Sequence, residues 1–278
     1  MPELPELQAH AERLQTAYKG AALAEFLPLM FTVLKTVEPP TSAANGKRLT
    51  SAKRRGKFLL LVFDELSFVV HLMQGGRLQP DLRDAPRPRK GMARWRFDDG
   101  RSLLLSEAGN ERRAGVWIVE GDAQQSDPIQ RLGPDVDQIG LDELMVLLAG
   151  ASMQLHRFLR DQRLVAGLGR RLANEICFRA QLSPYSNTAK LTQNEAERLH
   201  QAIGACIAES LTFERARDNM SASNERPGAV HNRVGTPCPV CGDVIRAVTF
   251  SRYSISYCAT CQTGGKVLAD NTTSRFLK

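Results

Sequence analysis

The chain has 278 residues, 37 lysines and arginines against 30 aspartates and glutamates, a formal net charge of +7 and a hydrophobic content of 42%. That length suits two domains with cores of their own. The longest apolar run, "FLLLVF", is strand-sized and far short of the roughly 20 residues that span a bilayer, and the acidic amino terminus lacks the basic-then-apolar order of a secretory signal. A cytoplasmic protein with reduced cysteines is therefore expected, with no membrane association.

Residues 3–19 predict a helix: Pro5 fits a first turn, Leu4, Leu7, Ala11 and Leu14 recur near helical spacing, and Gly20 fits the stop. From about residue 22 to 119 the pattern changes to strands. "KFLLLVF" and "LSFVVHLM" flank Asp64-Glu65, while "ARWRF" and "RSLLLS" flank "DDG", a hairpin turn signal. A β-sandwich or barrel with a helix at its edge is expected over 1–120, followed by a turn-rich linker at 121–136. Helices follow over 137–232. Asp142 is placed to cap "LDELMVLLAG", "LGRRLANEICFRAQ" is a short helix ended by Pro184, and "LTQNEAERLHQAIGACIAESL" opens with Thr192 and Glu195 as a capping box. Residues 212–234 read as an irregular polar loop, and residues 233–278 as a metal-binding hairpin with a tail. The fold class is mixed α+β and multidomain.

Positive charge is concentrated. "GKRLTSAKRRGKFL" carries Lys47, Arg48, Lys53, Arg54, Arg55 and Lys57 without an acid, and "RDAPRPRKG" adds Arg87, Arg89 and Lys90. One such cluster is equally well a solvated face; two in one domain favour a polyanionic partner.

Near the carboxyl end, "CPVC" and "CATC" supply Cys238, Cys241, Cys258 and Cys261, with sixteen residues between the pairs. Each pair presents two thiolates from one tight turn, and two such turns close a tetrahedron around a single structural zinc ion with no open position. A dithiol redox motif is the competing reading, but it needs only one pair. Cys177 and Cys206 lie in helical stretches and read as small buried hydrophobes.

"MPELPEL" at the start, "VAGLGRRLANEICFRAQLSP" in the middle and the four-cysteine finger resemble, in that order, the formamidopyrimidine-DNA glycosylase and endonuclease VIII family of base-excision repair enzymes. The resemblance covers essentially the whole chain. It implies an N-terminal β-sandwich with an edge catalytic helix, a helix–two-turn–helix domain and a zinc-finger β-hairpin. It also implies a bifunctional DNA glycosylase and abasic-site lyase acting on damaged double-stranded DNA as a monomer.

By this similarity Pro2, exposed when Met1 is removed, is the nucleophile that forms a Schiff base with C1′ of the damaged nucleotide. An α-amine suits the task, since its pKa of roughly 7.7–8.0 leaves much of it neutral near neutral pH. Glu3 matches the family's acid, Glu6 one turn on orients the pair, and Lys57 falls on the strand lysine that supports elimination and holds a phosphate. Without the other motifs, Pro2, Glu3 and Glu6 would read as an ordinary helix start. In "HLMQGGRL", His71, Met73 and Gln74 match the segment that fills the space left by the extruded nucleotide, with either Met73 or Gln74 as the wedge. Met73 reads equally well as core at a strand end.

In "NERRAG", Arg112 fits the family arginine that reads the orphaned base, and Ala114 stands where a stacking phenylalanine is usual. Gly167 and Gly169 of "DQRLVAGLGRRLANE" let the backbone approach the flanking phosphates, and Arg170 replaces the usual asparagine. His156 lies where a family lysine contacts the backbone, and Lys90 where a histidine does. Arg252 of "SRYSISYC" stands one position from the finger arginine expected near the lesion phosphate. A "GTTLRD"-like stretch before the finger, carried by members that bind 8-oxoguanine, is absent. Formamidopyrimidines, oxidised pyrimidines and abasic sites therefore remain open as substrates. Two rivals stand beside the enzyme: a damaged-DNA binding module that kept the fold without the chemistry, and a zinc-ribbon protein that contacts other proteins.

Overall fold

The computed structural model describes residues 1–109, 111–222, 225–250 and 253–268. Arg252 lies outside the described residues. The chain forms two compact units. The first contains Met1–Arg131 and Glu214–Met220; the second contains Leu132–Phe213 and the described residues from Ser221 onward.

In the first unit, helix α1 (Leu4–Tyr18) precedes eight strands: β1 (Leu23–Pro28), β2 (Leu49–Arg55), β3 (Phe58–Phe63), β4 (Leu66–His71), β5 (Gly76–Pro80), β6 (Gly91–Phe97), β7 (Ser102–Glu107) and β8 (Gly115–Glu120). They make two four-stranded antiparallel sheets, ordered β1-β6-β7-β5 and β2-β3-β4-β8. This is the expected sandwich. The turns fall where the sequence marks them. Asp64 takes a left-handed backbone (φ 49°) between β3 and β4, and Gly100 (φ 84°) closes the "DDG" turn between β6 and β7. Rings fill the space between the sheets: Phe26 lies 4.8 Å from both Phe68 and Trp95, and Phe63 packs edge-on to Phe68.

Helix α1 buries Leu4, Leu7, Ala11, Leu14 and Tyr18, the apolar stripe of the sequence, and Gly20 (φ 85°) follows its end. It runs antiparallel to β2. Gln15 near its end accepts the Ala52 N–H at 2.6 Å, and Gln8 near its start accepts from Arg54 Nε at 3.3 Å. Glu214–Met220 pack on the same helix: Arg215 reaches Glu12 in a bidentate pair at 2.6 and 2.8 Å, and Arg13 Nη1 donates to the carbonyls of Glu214 and Arg217.

The second unit contains α2 (Leu141–Gly150), α3 (Leu155–Phe158), α4 (Arg170–Arg179) and most of α5 (Gln193–Arg215), then the hairpin β9 (Ile245–Thr249) and β10 (Ser254–Cys258) and the short α6 (Ala259–Thr263). Two expectations need correction. Asp142 does not cap α2: the helix starts at Leu141 on Gly140, so Asp142 sits inside the first turn, where its charge favours the helix dipole. Residues 212–215 are not loop but the last turn of α5, continued by the Arg215–Glu12 pair and the carbonyl contacts from Arg13. The Thr192–Glu195 capping box is present: Glu195 Oε2 accepts the Thr192 N–H at 2.8 Å, and Thr192 Oγ1 accepts the Glu195 N–H at 3.4 Å. Cys177 and Cys206 are buried, and burial pushes both thiols up, Cys206 to about 12.

Candidate active site and nucleic-acid interface

The start of α1 is built from the residues singled out in the sequence. Glu3 is the N-cap. Its carboxylate accepts the Glu6 N–H, and Glu6 Oε2 accepts the Glu3 N–H at 3.1 Å. Each acid fixes the backbone of the other, satisfying two helix-start donors and placing negative charge at the positive end of the dipole. Glu3 and Glu6 are 4% and 6% exposed, and Pro2 beside them is buried. Because α1 runs antiparallel to β2, this end of the helix lies at the end of β2 that turns through Gly56 into β3. Buried Lys57 sits in that turn.

Strand register carries the same rim across the sheet. Phe58 faces His71, and His71 faces Gly115. The imidazole of His71 packs 4.6 Å from the Phe58 ring and is held neutral, its pKa lowered to about 4 by burial and then by Lys57. His71 Nδ1 accepts the Met73 N–H at 3.2 Å, which assigns the ring proton to Nε2. Met73 takes φ 52° in the turn that follows, with Gln74 exposed beside it. This turn abuts the 108–114 loop: Ala108 N–H donates to the Gly75 carbonyl at 3.2 Å, and a Cβ on Gly75 would meet the Ala108 oxygen at 2.2 Å.

Lys90 and Arg112 belong to this rim as well. Glu107 donates its N–H to the Lys90 carbonyl, and its buried carboxylate accepts the Ala114 N–H at 2.7 Å. Met73, Lys90 and Arg112 all have positive φ (52°, 64° and 43°), a region that costs a residue with a side chain of order 1–3 kcal/mol and clusters at functional sites. Arg112 is exposed, with Nη1 3.4 Å from the Met30 sulfur. Ala114 is fully buried.

In the second unit, the turn before α4 is stapled by Gln162. Its Oε1 accepts the Gly167 N–H at 3.0 Å, and its Nε2 donates to the Arg160 and Leu168 carbonyls. Gly167 has φ 106°, a conformation that favours glycine. Gly169 is the N-cap of α4, with no side-chain cap, and half-buried Arg170 is its first residue. Such a helix start suits an anion. His156 lies in the interior beside Asn174, Arg160 and Arg170 rather than on the surface. Burial, then Arg160, holds its pKa at about 3.

The four cysteine Sγ atoms lie within 4.8 Å of one another, with Cys238–Cys261 at 3.8 Å and Cys241–Cys258 at 3.4 Å. A tetrahedral site with metal–sulfur bonds of about 2.3 Å has sulfur–sulfur edges of about 3.8 Å. The four thiolates therefore fit a metal ion, and all four positions are filled by protein.

Sequence reasoning missed several supports. Gln162 staples the α4 turn, Glu107 holds the Arg112 loop, and Glu175 accepts the N–H groups of Ala229, Val230 and His231 at 2.8, 3.1 and 2.8 Å. Asn174 Nδ2 contacts His231 Nδ1 at 2.9 Å. His10, buried in α1 against Leu78 and Arg77, was also missed. A buried acid or amide bonded to distant backbone leaves no spacing in the sequence; a polar residue on the apolar face of a helix, as at His10, is the one available signal.

Residues 1–117 match the formamidopyrimidine-DNA glycosylase N-terminal domain, and residues 132–221 match the H2TH domain of the same enzymes. The formamidopyrimidine-DNA glycosylase of Thermus thermophilus is 31% identical over 95% of this chain and 100% of its own length. The chain belongs to the formamidopyrimidine-DNA glycosylase family. An uncharacterised formamidopyrimidine-DNA glycosylase-like protein of Mycobacterium tuberculosis is 38% identical over 53% of this chain and 94% of its own length. The crystal structure of the MutM (Fpg) protein of T. thermophilus superposes with a TM-score of 0.82 at 28% identity, covering 96% of this chain and 100% of that one. The Lactococcus lactis Fpg bound to DNA containing N7-benzyl-Fapy-dG shares the fold, with a TM-score of 0.84 at 21% identity over 94% and 100% of the two chains. Membership of this family does not favour the reading as a binding module without chemistry. Among the described residues, no helix is long and apolar enough to cross a membrane.

Proposed function

We propose that this chain is a bifunctional DNA glycosylase and abasic-site lyase that removes oxidised bases from duplex DNA. The observation that carries the reading is the reciprocal bonding of Glu3 and Glu6 beside buried Pro2, at the end of α1 that meets the Lys57 turn. After removal of Met1, the Pro2 nitrogen attacks C1′, the base departs, and a Schiff base forms with the opened sugar. Glu3 supplies and recovers protons at the sugar ring oxygen, and Glu6 holds the Glu3 backbone still while it does so. Lys57 steadies the adjacent phosphate, and loss of the C2′ proton breaks the strand by β-elimination; a second, δ-elimination would free the sugar remnant. Met73 or Gln74 fills the vacated stack, Arg112 faces the orphaned base, and Gly169, Arg170, Lys90, His71 and His156 line or support the backbone path. Arg252 completes the set from the finger. The zinc ion held by Cys238, Cys241, Cys258 and Cys261 is structural, contributing folding energy to the hairpin.

Borohydride trapping tests this reading. Duplexes carrying a formamidopyrimidine, an oxidised pyrimidine or an abasic site are incubated with the protein and reduced. A covalent adduct is expected with the wild type, lost in Pro2→Gly and Glu3→Gln, and mass spectrometry of the trapped protein should show an amino terminus beginning at Pro2. Failure to trap on every substrate would overturn the assignment. Tight lesion binding without strand cleavage would select the non-catalytic alternative.

A further inference from the structure

Phe31 is 99% exposed, a full aromatic ring in water. A single exposed apolar side chain is ordinary in itself; its mounting is not. Phe31 opens a short 3₁₀ turn, Phe31–Val33, whose backbone is anchored before and after it. Leu29 and Met30 both donate their N–H groups to the Met92 carbonyl, at 2.9 and 3.2 Å, and Val33 closes the turn by donating to the Met30 carbonyl at 3.1 Å. Val33 is fully buried in the sandwich core, Lys35 Nζ donates to the Thr32 carbonyl, and Lys35 N–H donates to the Val116 carbonyl at 2.8 Å. The backbone of the turn is fixed by these bonds, and the ring projects from it into solvent.

The turn is also fastened to the proposed DNA-contacting rim. Leu34 bridges Val116 of β8, two residues beyond Ala114, and the Arg112 guanidinium contacts the sulfur of Met30, the residue before Phe31. Ala114 is fully buried and offers no surface there. Among the described residues, the exposed aromatic of this stretch of rim therefore comes from the 30–33 turn, whose Met30 touches an exposed arginine. A flat apolar ring on a fixed turn, whose preceding residue Met30 touches an exposed guanidinium, suits the face of a nucleobase: stacking is indifferent to base identity, and the arginine supplies the charge that a polyanion needs.

We propose that Phe31 is a base-stacking residue, which packs its ring on a nucleobase exposed opposite or beside an extruded nucleotide in duplex DNA. The proposal rests on the glycosylase reading above and adds to it a contact from a separate segment of the chain. Phe31 touches neither the sugar nor the reacting atoms, so its contribution is to affinity and base opening rather than to bond breaking.

The test is binding to a duplex with a non-cleavable tetrahydrofuran abasic analogue, followed by fluorescence anisotropy. Phe31→Ala is expected to weaken binding about fivefold to 150-fold, the range of a single base–aromatic stack. Phe31→Leu, which keeps apolar bulk without a ring face, should weaken it similarly, while Phe31→Trp should bind like wild type. Emission of the new tryptophan should be quenched on adding the duplex, beyond any change in wild type. Since the side chain buries nothing, all three variants should melt at the wild-type temperature. If wild type binds and Phe31→Ala or Phe31→Leu binds equally well, the stacking role is overturned and the glycosylase reading stands. If wild type itself shows no affinity for the abasic duplex, both readings fall.

Discussion

His10→Leu should remove an acid-labile element from the sandwich. His10 is 6% exposed on the buried face of α1, and its pKa is lowered from 6.5 to about 4, first by burial and then by Arg13. The folded state therefore holds the ring neutral, while the unfolded chain takes up a proton below pH 6.5. Between pH 6.5 and 4 the unfolded state binds more protons, so the contribution of this residue is complete above 6.5 and is lost as the pH falls. At 1.36 kcal/mol per pKa unit, a difference of about 2.5 units makes wild type lose about 2.5 kcal/mol between pH 7 and pH 4.5 through this ring. His10→Leu, of similar volume, should lose none of it. Urea unfolding at the two pH values measures the difference. The chain has two tryptophans, Trp95 and Trp117, both in the first unit, so their emission follows that unit alone. His71 and the carboxylates titrate in both proteins and cancel in the comparison. Wild-type and His10→Leu stabilities falling in parallel from pH 7 to 4.5 would refute the reasoning.

Glu107→Ala removes the acceptor of the Ala114 N–H and leaves a buried donor unpaired, which should cost about 1–3 kcal/mol in urea unfolding; lesion-duplex affinity should fall with it, because the Arg112 loop loses its anchor. Glu175→Ala strips three backbone donors at residues 229–231 of a charged acceptor. Those amides should exchange with deuterium at least tenfold faster, while tryptophan emission from the first unit is unchanged. Chelation of the metal, or Cys238→Ser, should lower DNA affinity and melt the β9–β10 hairpin by circular dichroism, again without moving the tryptophan signal; one zinc per chain by atomic absorption is the expected stoichiometry. Binding to lesion duplex should weaken steeply as salt rises, since the contacts proposed for the rim and the start of α4 are between cations and phosphates.

Much of this architecture is legible in the sequence. Short-range chemistry is written in order along the chain: the "DDG" turn, the Thr192–Glu195 box, the apolar stripe of α1 and the two C-x-x-C turns each fold as their spacing dictates. The start of α2 departs from the local pattern because Asp142 is a good cap in isolation, whereas Gly140 already supplies the extended residue from which the helix begins. The end of α5 is not legible locally because its last turn is stabilised by Arg13 and Glu12, some 200 residues earlier. At the candidate site, the residue types at Pro2, Glu3, Glu6 and the cysteines were readable. The supports at Glu107, Gln162 and Glu175 were not, since each bonds to backbone at a distance and carries no motif. Ala114 pointed to a missing ring at the rim; Phe31 was invisible because exposure is a property of the fold, not of the residue.

The bond from the Ala52 N–H to Gln15 has a consequence beyond catalysis. β2 is the outermost strand of its sheet, and along it α1 stands where another strand would otherwise attach, with an amide side chain imitating the missing neighbour. Proteolytic trimming of the first fifteen residues would thus uncover a template for self-association as well as discarding the proposed nucleophile. On this reading α1 covers an open sheet edge as well as carrying Pro2, Glu3 and Glu6.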